Sequence, residues 1–540
     1  MKKNKIFIWS LFLSIPLFFT IAGCKKFLDR KPLTATLEDL HQGALEGQVL
    51  GMYNILRTYA GFSTLPWLDF NVIRDDDAQK GSDINDGKEI IAEFETYQYS
   101  KDDWAPNTYW NDHYSMINAA NNAIYTAQSA VAALDEPSLR NVGEACFFRA
   151  YAYWDLVKAY GEVPLINAPI IKPTDGIKPK SSVDSLYTFI DSNLRIAAQY
   201  LPLNASEFGT GYTGRLTKGA AKTLWAETFL FRKNWDSVIS LCNQVISSGQ
   251  YGLMPNFSDI WRDGLSGAGK NNLESIFEMQ VNVGQNAQSN SAVDNGSDWG
   301  TCQQIRQNSA PLQWNLGWGW NTPTQNLVDA WDDNDPRKLQ TILYSGQYDG
   351  GTALGGFGAT LPPYTNPDGS SAVTPAGDTV FGFAQKYWNK KLYTGNDPAM
   401  RAFTGFVNSN GNARWINHRI LRYADVILML AEAANEKGDG PTAALNLELI
   451  RNRASGNLGP SRTIVPPIPF SGQAQMRTAI KNERRFEFAM EGRRFYDLVR
   501  WGDAPAVLGA LGYSNKARYY PIPQKAIDLS GGVLKQNPEW

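Results

Sequence analysis

Histidine and cysteine are scarce in this chain, which has three histidines and four cysteines among 540 residues. No CxxC or HExxH motif is present, and no histidine lies in a spacing typical of a catalytic triad or a metal site. Cys146 and Cys242 sit in apolar helical patterns, which predicts buried thiols and not a disulfide framework. The sequence therefore predicts no cofactor and gives no support for thiol or metal catalysis.

An excess of charge of one sign is also lacking, and so is a long apolar run in the body of the chain. Lys and Arg number 51 against 53 Asp and Glu, so the net charge is −2 and gives no electrostatic footprint for nucleic acid. Beyond residue 23, no apolar run approaches the roughly 20 residues that a membrane span needs. We expect neither nucleic acid nor a transmembrane helix in the body of the protein.

The N-terminus has the pattern of a bacterial lipoprotein signal. Three lysines within the first five residues precede an apolar run at 6–19, and Ala22 and Gly23 precede Cys24. This order predicts a signal peptide at 1–23, lipidation of Cys24 and a lipid-anchored tether at 24–40. Several acyl chains anchor stably, because each buried CH₂ contributes about 0.8 kcal/mol. The alternative is an ordinary signal peptide with an incidental cysteine.

Helical periodicity dominates both ends of the body. Apolar residues recur at helical spacing over 109–133 and 144–160, and the second run stops at Gly161. Segments 217–248 and 423–454 each read as two helices joined by a tight turn, with small alanines that allow close approach. This pattern predicts scattered pairs similar to the tetratricopeptide (TPR) helix–turn–helix unit. The alternative is two unrelated amphipathic hairpins.

The segment 256–417 differs in composition, because Gly, Asn, Ser and Trp become frequent and helical period is lost except near 324–331. We expect a loop-rich lobe, and long loops in a compact domain are usually functional. Five tryptophans fall between 299 and 331, and aromatic faces of this kind can stack on sugar rings while Asn and Gln bond the hydroxyls. Trp299 and Trp314 are the better ligand candidates. The alternative is that these tryptophans seal the lobe onto the helices.

An acidic loop follows Trp67, with three consecutive aspartates at 75–77 and further acids at Asp83 and Asp86. A solvated turn, a Ca²⁺ site and recognition of sugar hydroxyls are all compatible with it. The spacing does not match an EF-hand, so no motif supports Ca²⁺ binding. A glycosidase would need two carboxyl groups across a cleft, which the sequence does not reveal.

The densest charged segment is 483–501, where glutamates at i, i+4 spacing interleave with five arginines and several aromatic residues. On one helix this arrangement predicts carboxylate–guanidinium pairs beside an apolar stripe. Arginine suits buried or half-buried ion pairs. We interpret the segment as a structural brace between helices; the alternative is an exposed contact with nucleic acid.

Taken together, these motifs resemble the SusD/RagB family of outer-membrane nutrient-binding lipoproteins. The resemblance is spread over nearly the whole chain and rests on six segments, namely the Ala-Gly-Cys24 start with Lys26-Phe27-Leu28-Asp29, then 144–164, 321–331, 422–435, 483–502 and 519–540. One departure is that the residues after Cys24 lack the dense acidic run associated with surface export.

The resemblance implies a mostly α fold, with TPR-like pairs forming a superhelical scaffold that supports an irregular, loop-rich ligand-binding lobe. It divides the body into an N-terminal region at 41–255, the ligand lobe at 256–417 and a C-terminal region at 418–540. It also implies an outer-membrane location facing the cell exterior, no catalysis, and a SusC-like TonB-dependent transporter as partner, to which the protein delivers oligosaccharide.

The leading hypothesis is a non-enzymatic glycan-binding lipoprotein. Its predicted ligand face consists of four aromatic residues for stacking and one acid for hydroxyl bonds, namely Trp67, Asp76, Trp104, Trp299 and Trp314. The alternative within the same family is peptide capture, because extended peptides need backbone partners and pockets that a polar lobe also offers. A secreted glycoside hydrolase is a distant third.

Overall fold

The protein is described by a computed structural model that covers residues 45–57, 62, 64–82, 92–130, 132–209, 213–262, 269–281, 296–307, 314–365, 372–373, 379–380, 382–395 and 415–540. The signal peptide, the tether and Cys24 lie outside these residues. Seventeen α-helices are described, which confirms the mostly α fold. They are α1 Glu46–Arg57, α2 Leu65–Asn71, α3 Glu93–Glu95, α4 Trp104–Gln128, α5 Glu136–Tyr160, α6 Val183–Tyr200, α7 Lys218–Phe231, α8 Trp235–Ile246, α9 Asp298–Cys302, α10 Gln325–Ala330, α11 Pro336–Thr341, α12 Tyr423–Glu436, α13 Gly440–Ala454, α14 Gln473–Glu487, α15 Arg494–Trp501, α16 Ala504–Leu508 and α17 Gln524–Leu529.

The strands are short and pair in twos. They are β1 Ala78–Gly81, β2 Val163–Pro164, β3 Lys180–Ser181, β4 Ser275–Met279, β5 Trp320–Pro323, β6 Ile342–Tyr344, β7 Ala372–Val373, β8 Thr379–Val380, β9 Tyr387–Asn389 and β10 His418–Arg422. Every pair is antiparallel: β1 with β5, β2 with β3, β4 with β10, β6 with β9 and β7 with β8.

The two predicted helix–turn–helix segments are confirmed as α7–α8 and α12–α13. In the first, Lys233 adopts a φ of 56° and the Asn234 side chain accepts the backbone N–H of Ser237, which caps the start of α8. In the second, Gly438 has a φ of 84° and Asp439 caps α13 by accepting from Thr442. Each turn reverses the chain in three residues, so the paired helices pack directly on one another.

The helices form a continuous array. Helix α5 lies between α4 and α6, α6 packs on α7, and α8 packs on α12, which in turn contacts α14. The run predicted at 144–160 is longer than its periodicity suggested, because Asp135 accepts the N–H of Ser138 and starts α5 there. The predicted stop at Gly161 is confirmed, with a φ of 73°. One large hydrophobic core, to which Cys146, Cys242 and Cys302 belong as buried thiols, runs through this array.

Between 256 and 417, no described helix or strand exceeds six residues. The helix predicted near 324–331 is confirmed as α10. This part of the chain has a hydrophobic core of its own, to which Ile305, Trp314, Leu316, Leu343, Leu361, Phe383, Trp388 and Tyr393 contribute. Other buried residues of the segment, among them Trp299, Trp320 and Trp331, belong to the large core, and the division into a lobe at 256–417 stays a prediction.

The charged segment at 483–501 is two helices and not the single helix that its spacing predicted. Helix α14 ends at Glu487 and α15 begins at Arg494, and between them Met490 and Gly492 have φ values of 67° and 75°. The left-handed backbone at both residues breaks the helix. Most of its carboxylates and guanidiniums therefore pair with other elements of the fold, and this bracing role agrees with the structural interpretation. Asp497 is the exception, because it pairs with Arg484 across the break and with Arg500 within α15.

Glu487 is the centre of these pairs. Its carboxylate accepts from Arg337 at 2.9 Å, from Arg422 at 2.7 Å and from Arg453, and none of these side chains is exposed. Burial opposes the ionisation of Glu487, but the three guanidiniums outweigh it and hold the pKa of the carboxyl below its ordinary value. The network joins α11 of the lobe to β10, α13 and α14.

We predict that Glu487→Gln destabilises the protein by about 3–5 kcal/mol, because it removes one partner from a buried charge network. Since the pKa of Glu487 is depressed, the stabilisation is present at neutral pH and is lost as pH falls below the ordinary range of a glutamate. Urea denaturation of the full-length chain at neutral and acidic pH measures both effects.

The matched control is Glu436→Gln, whose partner Arg477 is 38% exposed in its side chain. An exposed pair of this kind contributes about 1 kcal/mol or less. Equal losses in the two variants would contradict a special role for the Glu487 network.

Candidate functional site

Two of the predicted ligand residues, Trp67 on α2 and Trp299 on α9, come together inside the protein. The His418 ring stacks on Trp299 with centroids 3.8 Å apart, and Trp67 meets both rings edge-on at 4.6 and 5.4 Å. All three residues are buried. The expectation of an open stacking face on Trp299 is therefore wrong, because the ring seals the loop-rich segment onto α2.

Trp314 lies in the separate core of the loop-rich segment, where its ring meets Phe383 edge-on at 6.2 Å. It is 3% exposed, so the expected open face is absent here too. Tryptophan fills such a core because it removes more apolar area from water than any smaller side chain. Composition alone does not distinguish this use from an exposed platform.

Asp76 belongs to a buried set of ion pairs that none of the three sequence interpretations predicted. Its carboxylate accepts from Arg494 Nε at 2.8 Å and from Asn326 Nδ2 at 3.0 Å. Asp77 pairs with Arg485 of α14. Burial by itself raises the pKa of the Asp76 carboxyl. The Arg494 and Arg485 guanidiniums have the larger effect, so the pKa lies below its ordinary value and the group stays ionised. The carboxylate is thus occupied by protein groups.

Asp75 is the remaining aspartate of the acidic loop that the structure describes. Asp75 accepts the N–H groups of Asp77 and Ala78 and so shapes the turn into β1. Asp83, Asn85 and Asp86 lie outside the described residues. Within the described ranges, no three His, Cys, Asp or Glu side chains are grouped as metal ligands would be.

Trp104 is the most exposed of the five predicted residues, with 38% of its surface accessible. It is the first residue of α4, and the nearby Lys101 carbonyl accepts the N–H of Gln524 in the C-terminal segment. The structure thus joins Trp67 to Trp299 and leaves the other three in separate places. A ligand-binding role for these residues stays a prediction.

A different set of rings and amides, most of them half-exposed, lies where β1, β5, β9 and β6 meet. At the end of the β6–β9 pair, the facing Tyr344 and Tyr387 are half-exposed, while the neighbouring Leu343 and Trp388 point to the other side and are buried. Ile342 and Asn389, on the same side as the tyrosines, are buried as well. These two tyrosine rings meet edge-on at 5.4 Å, and the Tyr387 hydroxyl donates to Gln325 Oε1 at 2.7 Å.

Further polar groups and a half-buried tryptophan continue this face. Gln79 Nε2 donates to Gln385 Oε1 at 3.0 Å, and Gln385 Nε2 donates to the Ser82 carbonyl at 2.6 Å. Trp318 meets Trp320 at 5.1 Å in the segment that abuts Ser82. We call this region the aromatic–amide surface, and it consists of Gln79, Trp318, Gln325, Tyr344, Gln385 and Tyr387.

The chemistry of the aromatic–amide surface suits a neutral, hydroxylated ligand with flat apolar faces. Each glutamine amide can donate and accept, which matches hydroxyl groups. The aromatic rings offer apolar contact beside those amides. One exposed cation stands at its edge, where Lys386 Nζ lies 5.8 Å from the ring centroid of Tyr364.

Trp318 belongs to the window of tryptophans that the sequence singles out, but the pair of Tyr344 and Tyr387 was not predicted. The available signal was weak, because β6 and β9 are three residues each and lie more than 40 positions apart. Only their pairing reveals that Tyr344 and Tyr387 share the outer face. A period-2 pattern of three residues is too short to predict a strand.

Two family models match the chain. One, described as the SusD family, matches residues 273–517, and the other, described as starch-binding associating with outer membrane, matches 26–230. The chain belongs to the SusD/RagB family. The resemblance inferred from the sequence motifs is thereby confirmed, and it extends to both helical regions of the SusD-like fold.

Relatives of SusD type match over most of their length. The SusD-like protein P25 of Formosa agariphila is 23% identical over 98% of each chain, and a SusD-like protein of Bacteroides ovatus is 24% identical over 76% of this chain and 68% of its own.

Solved structures of the family share the fold. The surface glycan-binding protein A of Bacteroides fluxus superposes with a TM-score of 0.71 at 24% identity, covering 92% of this chain and 99% of that one. The surface glycan-binding protein A of Bacteroides thetaiotaomicron in complex with laminarihexaose gives 0.70 at 22% identity, covering 91% and 98%. Among the described helices of this SusD-family chain, none is both long enough and apolar enough to span a membrane.

We predict that Trp299→Ala lowers the free energy of unfolding by about 3–5 kcal/mol, because the ring is buried against Trp67 and His418. Trp104→Ala, at an exposed position, is the matched control and should change stability by about 0.5 kcal/mol or less. Urea denaturation of both variants checks this. A loss for Trp104→Ala as large as that for Trp299→Ala would contradict the assigned packing roles.

Proposed function

We propose that this protein is a non-catalytic glycan-binding lipoprotein of the outer membrane that delivers oligosaccharide to a TonB-dependent, SusC-like transporter. The observation that carries the glycan assignment is the aromatic–amide surface, where Tyr344, Tyr387 and Trp318 lie beside three glutamine side chains. Membership of a family whose solved relatives include a laminarihexaose complex supports the same assignment.

Rigid support makes the aromatic–amide surface suitable for binding. Behind Tyr344 and Tyr387, the side chains of Leu343 and Trp388 belong to the core of the lobe. The Tyr387 hydroxyl is fixed by Gln325, and Gln385 is fixed by Gln79 and Ser82. Groups held in this way lose little conformational freedom when a ligand binds, which favours affinity.

The anchoring part of the proposal rests on the sequence. The charged start, the apolar run and the Ala-Gly-Cys24 ending predict a lipid on Cys24. The matching family description mentions association with the outer membrane, and this agrees with a lipid-anchored protein on that membrane. Exposure to the cell exterior and delivery to a transporter are properties that the family implies, and we propose them for this chain.

We predict that Tyr387→Ala and Trp318→Ala each weaken glycan binding by about tenfold, which corresponds to about 1.4 kcal/mol. Isothermal titration of the full-length chain in detergent against laminarihexaose, maltohexaose and xylohexaose measures this effect. The matched control is Tyr125→Ala, since Tyr125 is an exposed tyrosine on α4 outside the aromatic–amide surface. Thermal unfolding of each variant separates lost binding from lost folding.

Three outcomes would count against the proposal. Unchanged affinity in Tyr387→Ala and Trp318→Ala would remove the aromatic–amide surface as the binding site. Release of shorter saccharides during incubation would contradict a non-catalytic role and favour a hydrolase. Binding of a peptide mixture with no response to any glycan would favour the alternative of a peptide-capturing member of the same family.

We predict that Cys24→Ala moves the protein from the outer-membrane fraction to the soluble fraction, because the acyl chains that hold it in the bilayer cannot be attached. Lys25→Ala leaves the cysteine in place and is the matched control. Crosslinking of the membrane-bound chain should then recover a TonB-dependent transporter. Retention of Cys24→Ala in the membrane would contradict the lipid anchor.

A further inference from the structure

A second open groove lies away from the aromatic–amide surface and shares no residue with it. It has a volume of about 710 Å³ and lies between the loop after α6, the start of α7 and strand β4. Its size falls within the range of about 300–1,000 Å³ that small-molecule sites occupy. Uncharged side chains make up much of its lining, among them Asn204, Ser206, Gln250, Tyr251, Asn271 and Leu273.

Two residues with charged side chains, Arg215 and Glu278, line the groove, and each contacts protein groups of opposite charge. Arg215 donates to Glu46 Oε1 and to Glu144 Oε1, each at 2.6 Å. Glu278 Oε2 accepts from Asn417 Nδ2 at 2.7 Å, and its other oxygen lies 3.6 Å from Arg419 Nε. Both charged side chains of the lining are therefore already engaged by protein groups, which disfavours phosphate, carboxylate or ammonium compounds as occupants.

The remaining polar groups of the lining are hydroxyls and amides, and several of the amides are held by hydrogen bonds. Asn204 Nδ2 donates to Gln250 Oε1 at 3.0 Å. Asn271 and Gln280 exchange two amide hydrogen bonds of 2.9 Å each. A side-chain amide has two donor hydrogens and two acceptor lone pairs, so these internal bonds leave capacity on each group. Oriented amides of this kind can meet hydroxyl groups as both donors and acceptors.

Apolar surface stands beside those amides. The Tyr251 ring packs so closely on Gly219 that a Cβ there would come within 2.4 Å of it, and its hydroxyl bonds Thr217 at 2.6 Å. Leu273, which also lines the groove, is 53% exposed. A fixed aromatic ring and an exposed aliphatic side chain supply contact for the CH-rich faces of a saccharide.

We propose that this groove is a second binding site for a neutral oligosaccharide, distinct from the aromatic–amide surface. The assignment rests on the proposed glycan-binding function and extends it, because a chain held at two places dissociates more slowly than one held at a single place. The uncharged amide lining and the ring of Tyr251 define the ligand class as uncharged and rich in hydroxyls.

Hydrogen–deuterium exchange of the full-length chain in detergent tests the assignment. Laminarihexaose, maltohexaose and xylohexaose are the saccharide probes, and tetra-alanine is the peptide probe. We expect at least one saccharide to slow exchange in 250–254 and 271–278, in addition to 342–348 and 385–389. Ser206→Trp places a bulky ring in the groove from an exposed position. It should abolish the protection of 250–254 and 271–278 and leave the protection of 342–348 and 385–389.

Ser514→Trp is the matched control, because this exposed serine lies in the C-terminal segment outside the groove, and it should leave all four effects in place. Ser275→Gln obstructs the groove from β4 and serves if Ser206→Trp fails to fold.

The outcomes separate the two proposals. Saccharide protection confined to 342–348 and 385–389 overturns the groove and leaves the proposed function standing. No protection by any saccharide overturns both. If the groove segments stay protected in both Ser206→Trp and Ser275→Gln, the saccharide does not bind in the groove and the proposal is wrong. If tetra-alanine is the one probe that protects them, the carbohydrate assignment is wrong.

Discussion

The buried network of arginines and glutamates around Glu487 determines how the parts of this protein are held together. Glu487 meets Arg337 from the loop-rich segment, Arg422 from β10 and Arg453 from α13. Glu274, which precedes β4, bonds the last two of these arginines as well. Removing any one member would leave a buried charge without its partner, so the network acts as a unit.

A network of this kind contributes more to the arrangement of elements than to net stability. Taking several charges out of water costs several kcal/mol per ion, and their mutual attraction returns this only when the geometry is good. Guanidinium groups satisfy that condition because their planar forks bond two carboxylates at once. The same logic applies to Arg485 and Arg494, which fix the acidic turn before β1 against α14 and α15. Since β1 pairs with β5, this contact also fixes one side of the aromatic–amide surface.

The helical scaffold could be predicted from the sequence because its signals are local. Apolar spacing, a cap such as Asp439 and a glycine such as Gly438 all lie within one hairpin, and they predicted α12–α13 correctly. The ion pairs could not be predicted in the same way. Asp77 and Arg485 are 408 residues apart, and the spacing of charges within 483–501 suggested pairs along one helix. The break at Met490 and Gly492 directs most of those side chains to other elements, although Asp497 still pairs with Arg484 and Arg500 of the same segment.

The exposure of the aromatic residues was the feature that the sequence predicted least well. Trp299 and Trp314 stand among polar residues in sequence yet are buried, while Tyr344 and Tyr387 are half-exposed only because their strands pair across a small core. The aromatic–amide surface is built on β1, β5, β6, β9 and α10, whereas the groove beside Tyr251 is built on the loop after α6, the start of α7 and the segment of β4. Because the two places share no residue, a substitution in one need not alter the other. If both bind saccharide, as we propose, the ligand preference of one can change while the other keeps its affinity for neutral saccharides.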